Sequence, residues 1–416
     1  MIPSANKNAV LPILCATLLT DEPVTLRGVP DITDARQIIG LFERLGSEVD
    51  ADFATGTLRV RHAGKLDPAA ARLPEGMRSS IMLIPALLAR LGEARIEGDV
   101  KGCSLGVREI DPHIEVFQTF GVEVAPEQGA LAMTNRHRIG RPFAAASHWL
   151  DYASVTTTEN FVLCAATAEG TSTLTNAASE PHVQEFCAFL AKMGAKVEGA
   201  GTSTITITGV DKLRGATHAV IPDRIETGTY AVAAAMAGGE VRLTRTRADF
   251  IQALLDKIEE AGADVIANND GVTIRRNGAR LKAVDIETDV YPGLATDLQA
   301  QFMALMTLAD GESVIRETIF ENRFMHVPEL ARLGADISVQ GGEARVRGVG
   351  ALDGAQVMAT DLRASVSLVI AGLAARGETV VNRVYHLDRG FERLEQKLGA
   401  CGAPVRRLKD DRADEG

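Results

Sequence analysis

A repeat of about seventy residues constrains the fold of this chain more than any other feature. Six times, an amphipathic helical stretch runs into a glycine that is followed by a short alternating segment typical of a strand. A glycine at this place is the usual left-handed C-cap of a helix, so each one predicts a helix end and a strand start. The six glycines are Gly46, Gly121, Gly194, Gly262, Gly334 and Gly402.

A second marker lies between these glycines. Alanine-rich apolar helices run into short strands at Gly92, Gly170, Gly239, Gly311 and Gly377. Each unit therefore reads approximately βαβαββ. Chance recurrence of a common helix stop would not keep two markers in register, so we interpret the pattern as six structural repeats.

The length of 416 residues exceeds what one ordinary core can bury, whereas three repeats per domain can form one. The natural break lies near residues 220–223. We predict an α/β fold, a two-domain inside-out α/β barrel in which each domain encloses its helices within a ring of sheets. The domains are residues 7–221 with repeats one to three and residues 222–416 with repeats four to six. Ligands are expected in the cleft between them.

Composition excludes several classes of function. The net charge of −11 argues against sequence-independent nucleic-acid binding. No apolar run approaches the length of about 18 residues that a membrane span needs, and no secretory signal is visible. Five cysteines at irregular spacing fit a reducing compartment, so a cytoplasmic location is expected.

Three positions in the first half could carry chemistry. Lys7 lies just ahead of an apolar helix, where it is either an anion ligand or a solvated surface lysine. Arg78 leads into another apolar helix, as a helix-end charge or a phosphate ligand. Cys103 lies in a glycine-containing loop near Lys101 and Arg108, and positive neighbours make a thiol reactive, although most loop cysteines are inert.

In the second half, an acid and an arginine recur within a few residues where helices begin. Local ion pairs would explain each motif alone, whereas several arginines at helix starts would form a shared anion-binding surface. The sequence has no Walker A loop, no metal-binding histidine spacing and no nucleophile-elbow serine. The motifs are Asp223-Arg224, Glu321 with Arg323, Asp361 with Arg363, and Asp388-Arg389.

Together these motifs resemble the UDP-N-acetylglucosamine enolpyruvyl transferase family, the 1-carboxyvinyltransferases of peptidoglycan synthesis. The resemblance runs from Ser4 to about Val405, and its most specific stretches are residues 222–229 (PDRIETGT), 320–330 (FENRFMHVPEL) and 355–364 (AQVMATDLRA). That family is built from six βαβαββ units in two domains, in agreement with the repeat count. The sister family, enolpyruvylshikimate phosphate synthase, shares this fold but opens with a lysine-serine motif that is absent here.

The resemblance implies transfer of the carboxyvinyl group of phosphoenolpyruvate to the 3-hydroxyl of UDP-N-acetylglucosamine, with release of phosphate and without a metal or organic cofactor. Cys103 would protonate the methylene carbon and would be the thiol that fosfomycin alkylates. Asp297 would receive the hydroxyl proton, and Lys7 and Arg389 complete the implied catalytic set. The implied phosphoenolpyruvate ligands are Lys7, Arg78, Cys103, Arg108 and Arg389. The implied acceptor contacts are Asn8, Arg78, Arg108, Asp111, Ser154, Asp297, Ile319 and Arg363.

The chain departs from the family pattern mainly on the acceptor side. The departures are Thr33, Lys101, Glu109, Pro112, Tyr152 and Thr156. The chain also begins short of the family's usual start, so a strand that packs on the second domain is expected to be missing. One hypothesis for the short start is a mis-assigned start codon.

Two other functions stay open at this point. Tyr152 stands where a lysine of the family meets the diphosphate, which favours another nucleotide acceptor such as UMP. A catalytically silent paralogue that binds nucleotide-sugars is the other alternative, against which the retained Cys103 and Asp297 argue. The expected partners are the two small-molecule substrates, with no nucleic acid and no membrane, and the chain is expected to be a monomer or a weak homo-oligomer.

Overall fold

A computed structural model describes residues 1–74, 76–97, 110–127, 129–135 and 143–408. The helices in these residues are α1 (Lys7–Thr17), α2 (Thr33–Arg44), α3 (Ile84–Leu91), α4 (Asp111–Thr119), α5 (Val155–Ala166), α6 (Pro181–Lys192), α7 (Arg224–Ala237), α8 (Gln252–Glu260), α9 (Gln299–Met306), α10 (Val327–Arg332), α11 (Leu362–Ala374) and α12 (Leu394–Ala400). The strands are β1 (Val24–Arg27), β2 (Glu48–Asp52), β3 (Thr57–Arg61), β4 (Glu93–Glu97), β5 (Val122–Glu127), β6 (Ala130–Asn135), β7 (Ser147–Trp149), β8 (Thr171–Thr175), β9 (Lys196–Glu198), β10 (Thr204–Thr208), β11 (Thr217–Ala219), β12 (Gly239–Thr244), β13 (Asp264–Asn268), β14 (Gly271–Arg276), β15 (Ile286–Glu287), β16 (Glu312–Arg316), β17 (Asp336–Gln340), β18 (Glu343–Arg347), β19 (Gln356–Met358) and β20 (Val380–Asn382).

Within the described residues the strands form six sheets, one for each predicted repeat. Their orders are β11-β1-β3-β2, β4-β6-β5, β7-β8-β10-β9, β12-β14-β13, β15-β16-β18-β17 and β19-β20. In the four-stranded sheets, an antiparallel set of three strands is extended by one parallel strand. For example, β16 pairs antiparallel with β18 and parallel with β15. The mixed α/β class predicted from the sequence is confirmed.

The glycines that mark the repeats have the conformation that their position predicts. The φ angles of all six lie between 84° and 108°, a region that L side chains rarely adopt. Each of these glycines follows the end of an even-numbered helix, from α2 to α12. The prediction of a left-handed C-cap at every repeat is therefore confirmed.

The helices alternate in their surroundings. Among the odd-numbered helices, α1, α5, α7, α9 and α11 are buried over most of their length. Helices such as α2 and α8 are amphipathic and bury one face only. In the second half, α7, α9 and α11 pack against one another. Enclosed helices with sheets outside them are the arrangement of the predicted inside-out barrel.

Two separate hydrophobic cores form. One draws its residues from Ala9 to Val220, and the other from Ile225 to Leu398. The chain crosses between the two cores twice, and the crossings lie side by side. Ala5 forms an antiparallel bridge with Pro222, flanked by hydrogen bonds from the Asn6 N–H to the Ile221 carbonyl and from the Asp223 N–H to the Ser4 carbonyl, both 2.8 Å. We retain residues 7–221 and 222–416 as the proposed domains.

The first residue lies against the second domain. The Met1 amino group donates to the Arg242 carbonyl at 2.7 Å, and the Thr244 N–H donates to the Met1 carbonyl at 3.0 Å. These contacts follow the edge of β12, which belongs to a three-stranded sheet. The N-terminal segment is thus part of the second domain's surface.

Two kinds of feature are absent from the described residues. No helix there combines the length and the apolar character that a bilayer crossing requires. No group of three or more histidine, cysteine, aspartate or glutamate side chains is arranged there to hold a metal ion.

Candidate active site

Lys7 and Arg389 contact the same buried carboxylate. The Lys7 Nζ lies 2.8 Å from Oδ2 of Asp34, and the Arg389 Nε lies 3.1 Å from Oδ1. The side chain of Asp34 is only 3% exposed. Because Asp34 belongs to α2 of the first domain and Arg389 to the second, this ion-pair cluster spans the domain boundary. The alternative of a solvated surface lysine at position 7 is wrong.

Local structure fixes Lys7 at the start of α1. The side chain of Asn6 caps the helix by accepting the Ala9 N–H at 3.0 Å. The backbone N–H of Lys7 donates to Oδ2 of Asp223 at 3.0 Å. Gly390 leaves room for the lysine stem, since a Cβ added there would lie 3.2 Å from the Lys7 Cδ. The hydrogen bond between Lys7 and Asp223 joins the two segments that cross between the domains and holds them next to the ion-pair cluster.

The cluster carries more positive than negative charge. Burial lowers the pKa of Lys7, Asp34 opposes this effect, and the charges of Arg363 and Arg389 lower the pKa further. Burial alone would raise the pKa of Asp34, but Lys7 and Arg389 outweigh it and hold the pKa below its usual range. An additional anion would therefore be attracted to this place.

Asp297 is held by two arginines of the second domain. Its Oδ1 accepts from Arg323 at 2.6 Å, and its Oδ2 lies 3.1 Å from the Arg363 guanidinium. Arg323 also donates to the Thr296 hydroxyl at 2.8 Å. Both arginines are buried, whereas the Asp297 side chain keeps 26% exposure. Asp297 is thus fixed in orientation while part of it faces open space.

Glu317 orders the loop beside Asp297. One of its oxygens accepts the Ile319 N–H at 2.9 Å and the Thr288 hydroxyl at 3.0 Å. The other accepts the Thr296 hydroxyl at 2.8 Å. Because Thr296 directly precedes Asp297, Glu317 ties the predicted acceptor residue Ile319 to the Asp297 group.

A second set of predicted residues lies in the first domain. Arg78 opens a short 3-10 helix. Burial, together with the charge of Arg78, lowers the pKa of His113 to about 3. His113 contacts the Asn160 side chain at 2.9 Å and the Thr156 hydroxyl at 3.4 Å. Ser154 caps the same helix, α5, by accepting the Thr157 N–H. Asp111 is the exposed first residue of α4, which also contains Pro112.

A cationic group without a close partner lies where the domains meet. The described residues place no hydrogen-bond or ion-pair partner on Arg224, which is buried and stacks at 5.5 Å over the Tyr291 ring. Burial, with Glu180 opposing, lowers its pKa. Its charge also lowers the pKa of the buried His182, which burial brings to about 3. His182 is therefore neutral at physiological pH.

The local pairing of acid and arginine, considered above as one explanation of the sequence motifs, is wrong for three of the four motifs. Asp223 and Asp361 cap α7 and α11 through backbone N–H groups. Asp388 pairs with Arg407 instead. The described contacts of Arg363 and Arg389 are to acids elsewhere in the chain. This distribution agrees with the alternative, a shared surface of arginines.

The structure brings some predicted residues together and leaves others apart. Lys7, Asn8, Ile319, Arg363, Arg389 and Asp297 lie in or beside the two ion-pair clusters. Arg78, Asp111 and Ser154 lie elsewhere in the first domain, at the starts of the 3-10 helix, α4 and α5. Cys103 and Arg108, with Lys101 and Glu109, lie outside the described residues. Of the other cysteines, Cys15 and Cys164 are buried, as expected, and burial raises the pKa of both thiols.

Sequence reasoning missed Asp34 and Glu317, and it named Arg323 in the shared arginine surface without including it among the implied site residues. Arg323 lies in one of the three specific stretches of the family resemblance, so its place in the sequence was a usable signal. Asp34 offered none, because an acid in the first turn of an amphipathic helix is commonplace.

Comparison with known proteins gives concordant results. The family model EPSP synthase (3-phosphoshikimate 1-carboxyvinyltransferase) matches residues 1–398. The UDP-N-acetylglucosamine 1-carboxyvinyltransferase of Caulobacter vibrioides is 56% identical over 411 residues, which cover 98% of this chain and 95% of that protein. The protein of the same name from Caulobacter sp. strain K31 is also 56% identical, with 98% and 94% covered.

Solved structures are similar over the same length. The enolpyruvyl transferase NikO from Streptomyces tendae has a TM-score of 0.86 and 27% identity, with 98% of this chain and 95% of that chain covered. An EPSP synthase from Acinetobacter baumannii has a TM-score of 0.74 and 17% identity, with 98% and 96% covered. Because the identity is only 17%, the similarity to this EPSP synthase structure concerns the fold alone.

Proposed function

The chain belongs to the EPSP synthase family and, within it, to the UDP-N-acetylglucosamine 1-carboxyvinyltransferases, and on this premise we propose that it transfers the carboxyvinyl group of phosphoenolpyruvate to the 3-hydroxyl of UDP-N-acetylglucosamine. The observation that carries the proposal is 56% identity extending over 98% of the chain. Phosphate is the second product. The reaction is the first committed step of peptidoglycan synthesis, and we expect it to take place in the cytoplasm on a monomer or weak homo-oligomer.

The cationic cluster supports a site for phosphoenolpyruvate. This substrate carries a phosphate and a carboxylate, and Lys7 and Arg389 converge on one carboxylate of the protein. A second anion beside Asp34 would meet both cations and reduce their mutual repulsion. Arg78 and Arg108 complete the proposed set, the latter outside the described residues.

The chemistry requires an acid and a base. The enol phosphate of phosphoenolpyruvate becomes electrophilic at C2 only when its methylene carbon is protonated, and Cys103 is the proposed proton donor. The acceptor oxygen then bonds to C2 while its proton passes to Asp297. In the second step the new methyl group loses a proton, the carbon–carbon double bond re-forms, and the C2–O bond to phosphate breaks. No other reactant is needed.

The double arginine contact of Asp297 supports its proposed role. Arg323 and Arg363 fix both oxygens, so the carboxylate needs no reorganisation when the acceptor arrives. Arg363 reaches Asp297 from the start of α11, and its charge also acts on Lys7. The base and the anion site are thereby linked. The proposed acceptor contacts are Asn8, Arg78, Arg108, Asp111, Ser154, Asp297, Ile319 and Arg363.

The acceptor is the part of the proposal that needs the sharpest test. Tyr152, which stands where the family has a lysine, is 56% exposed and follows β7 shortly before Ser154. A tyrosine there supplies no charge for a diphosphate. Tighter binding of UMP than of UDP-N-acetylglucosamine in calorimetric titrations would therefore overturn the acceptor assignment while leaving the carboxyvinyl transfer in place.

Phosphate release from phosphoenolpyruvate with UDP-N-acetylglucosamine, followed by mass spectrometry, tests the reaction. We expect a product heavier by one carboxyvinyl group from the wild type, and none from C103A or D297N. Asp249 offers a control, since it is an exposed acid paired with Arg247, and D249N should retain full activity. Failure of the wild type to release phosphate with this acceptor would contradict the proposal.

A further inference from the structure

Asp34 occupies a position that the proposed roles do not explain. It contacts Lys7 and Arg389 with both of its carboxylate oxygens and lies almost completely buried. The two cations come from parts of the chain that are 382 residues apart, since 389 − 7 = 382. The carboxylate therefore links the two proposed phosphoenolpyruvate ligands directly and contributes to their relative position.

The charges around Lys7 show what the carboxylate does there. Arg363 from α11 and Arg389 both face the ammonium group and disfavour its charged form. Asp34 opposes them, and Asp223 contributes through the Lys7 backbone N–H. Without Asp34, three cations would remain close together in a buried place. Lys7 would then lose its proton more readily, and Arg389 would lose a contact that helps to orient its guanidinium.

We propose that Asp34 is a positioning residue for phosphoenolpyruvate: it keeps Lys7 charged and holds Arg389 across the domain boundary, so that both cations face the phosphoenolpyruvate anion. This inference rests on the proposed function. Asp34 does not itself touch the substrate, whose negative charge it would repel. Its contribution lies in the alignment and protonation of its two partners.

A purely structural role for Asp34 predicts something different. If the carboxylate only tied the domains together, its loss would lower the stability and the amount of active enzyme, but would leave the saturation and pH behaviour of the surviving enzyme unchanged. The two roles are therefore separated by the KM for phosphoenolpyruvate and by the pH profile, both measured on folded protein.

The experiment compares D34N and D34E with the wild type. For D34N we expect the KM for phosphoenolpyruvate to rise about tenfold or more, with a much smaller change in the KM for UDP-N-acetylglucosamine. The alkaline limb of kcat/KM for phosphoenolpyruvate should move to lower pH by about one unit, because Lys7 deprotonates earlier. D34E should restore the alkaline limb and part of the affinity. Circular dichroism and a melting curve would establish that each variant is folded.

Asp31 supplies the matched control. It lies three residues before Asp34, and its carboxylate pairs at 2.5 Å with the exposed Arg36. D31N should leave the KM for phosphoenolpyruvate and the pH profile at wild-type values. A folded D34N enzyme with the wild-type KM and the wild-type alkaline limb would overturn the proposal. If the wild type itself lacked the activity, the proposed function would have failed instead, which makes the two failures distinguishable.

Discussion

Replacement of Gly390 by alanine should damage the phosphoenolpyruvate site without removing any charged group. A Cβ built at Gly390 would lie 2.7 Å from one Leu362 methyl carbon and 3.2 Å from both the other methyl carbon and the Lys7 Cδ. Carbon atoms make ordinary contacts at about 3.5–4.0 Å, so the neighbours must move. Insertion of a methyl group into a packed place costs about 1–3 kcal/mol, and we expect G390A to lose about 2 kcal/mol of unfolding free energy.

The displaced atoms lie on functional side chains or next to them. The Lys7 stem must shift, and Leu362 directly precedes Arg363 at the start of α11. We therefore expect the KM for phosphoenolpyruvate to rise about tenfold, equivalent to about 1.4 kcal/mol of binding free energy. Urea unfolding and saturation kinetics at fixed acceptor concentration measure the two effects.

Gly399 provides the comparison for this substitution. It lies in α12, and a Cβ added there would have no atom within 4 Å. G399A should raise the unfolding free energy by about 0.5–1 kcal/mol, through better helix propensity and a less disordered unfolded chain, and should keep wild-type kinetics. The packing argument would be refuted if G390A matched G399A in both stability and KM.

Three further predictions concern buried charges. R323M should lower kcat by about a hundredfold, because Asp297 loses one of the two arginine contacts that fix its orientation, and an unchanged kcat would contradict the role of Arg323 in orienting it. K397M should lose about 3 kcal/mol of unfolding free energy at neutral pH, because the buried Glu226 loses its cation. Burial raises the pKa of Glu226, so the deficit should shrink as pH falls below neutrality and the carboxyl takes up a proton, and a pH-independent deficit would contradict this. Burial lowers the pKa of His62 from 6.5 to about 3, so the neutral ring stabilises the fold above pH 6.5 and this contribution is lost as pH falls. In urea titrations between about pH 6 and about pH 4, H62Q should show a pH slope of unfolding free energy smaller than that of the wild type by about 1.4 kcal/mol per unit, and equal slopes would refute the assignment.

The repeats were predictable because each ends in a local signal. A glycine with positive φ is required where an outer helix turns into a strand, and this requirement is visible in the sequence at all six positions. The buried odd-numbered helices were likewise visible as alanine-rich apolar runs. Fold class and repeat number followed from these features, and both are confirmed.

The contacts of the site could not be predicted in the same way. Arg389 pairs with Asp34, 355 positions away along the chain, and no local spacing reveals such a partner. Asp361 lies two residues before Arg363, yet it caps α11 while Arg363 reaches Asp297. Helix capping satisfies backbone N–H groups that have no other partner, which explains why proximity in sequence misled. The roles assigned to Cys103 and Asp297 stay predictions.

The paired crossing between the domains restricts how they can move relative to each other. A single connecting strand would allow one domain to twist about the strand axis, whereas two adjacent strands joined by hydrogen bonds at Ala5 and Pro222 resist torsion. The two segments can still bend together, so bending is the relative motion of the domains that meets the least resistance. Lys7 follows directly after one of these strands, so the distance between Lys7 and Arg389 should depend on one angle, the bending angle between the two domains. Relative domain motion in this protein should therefore be described by one opening coordinate, which distance measurements between labels on the two domains can follow.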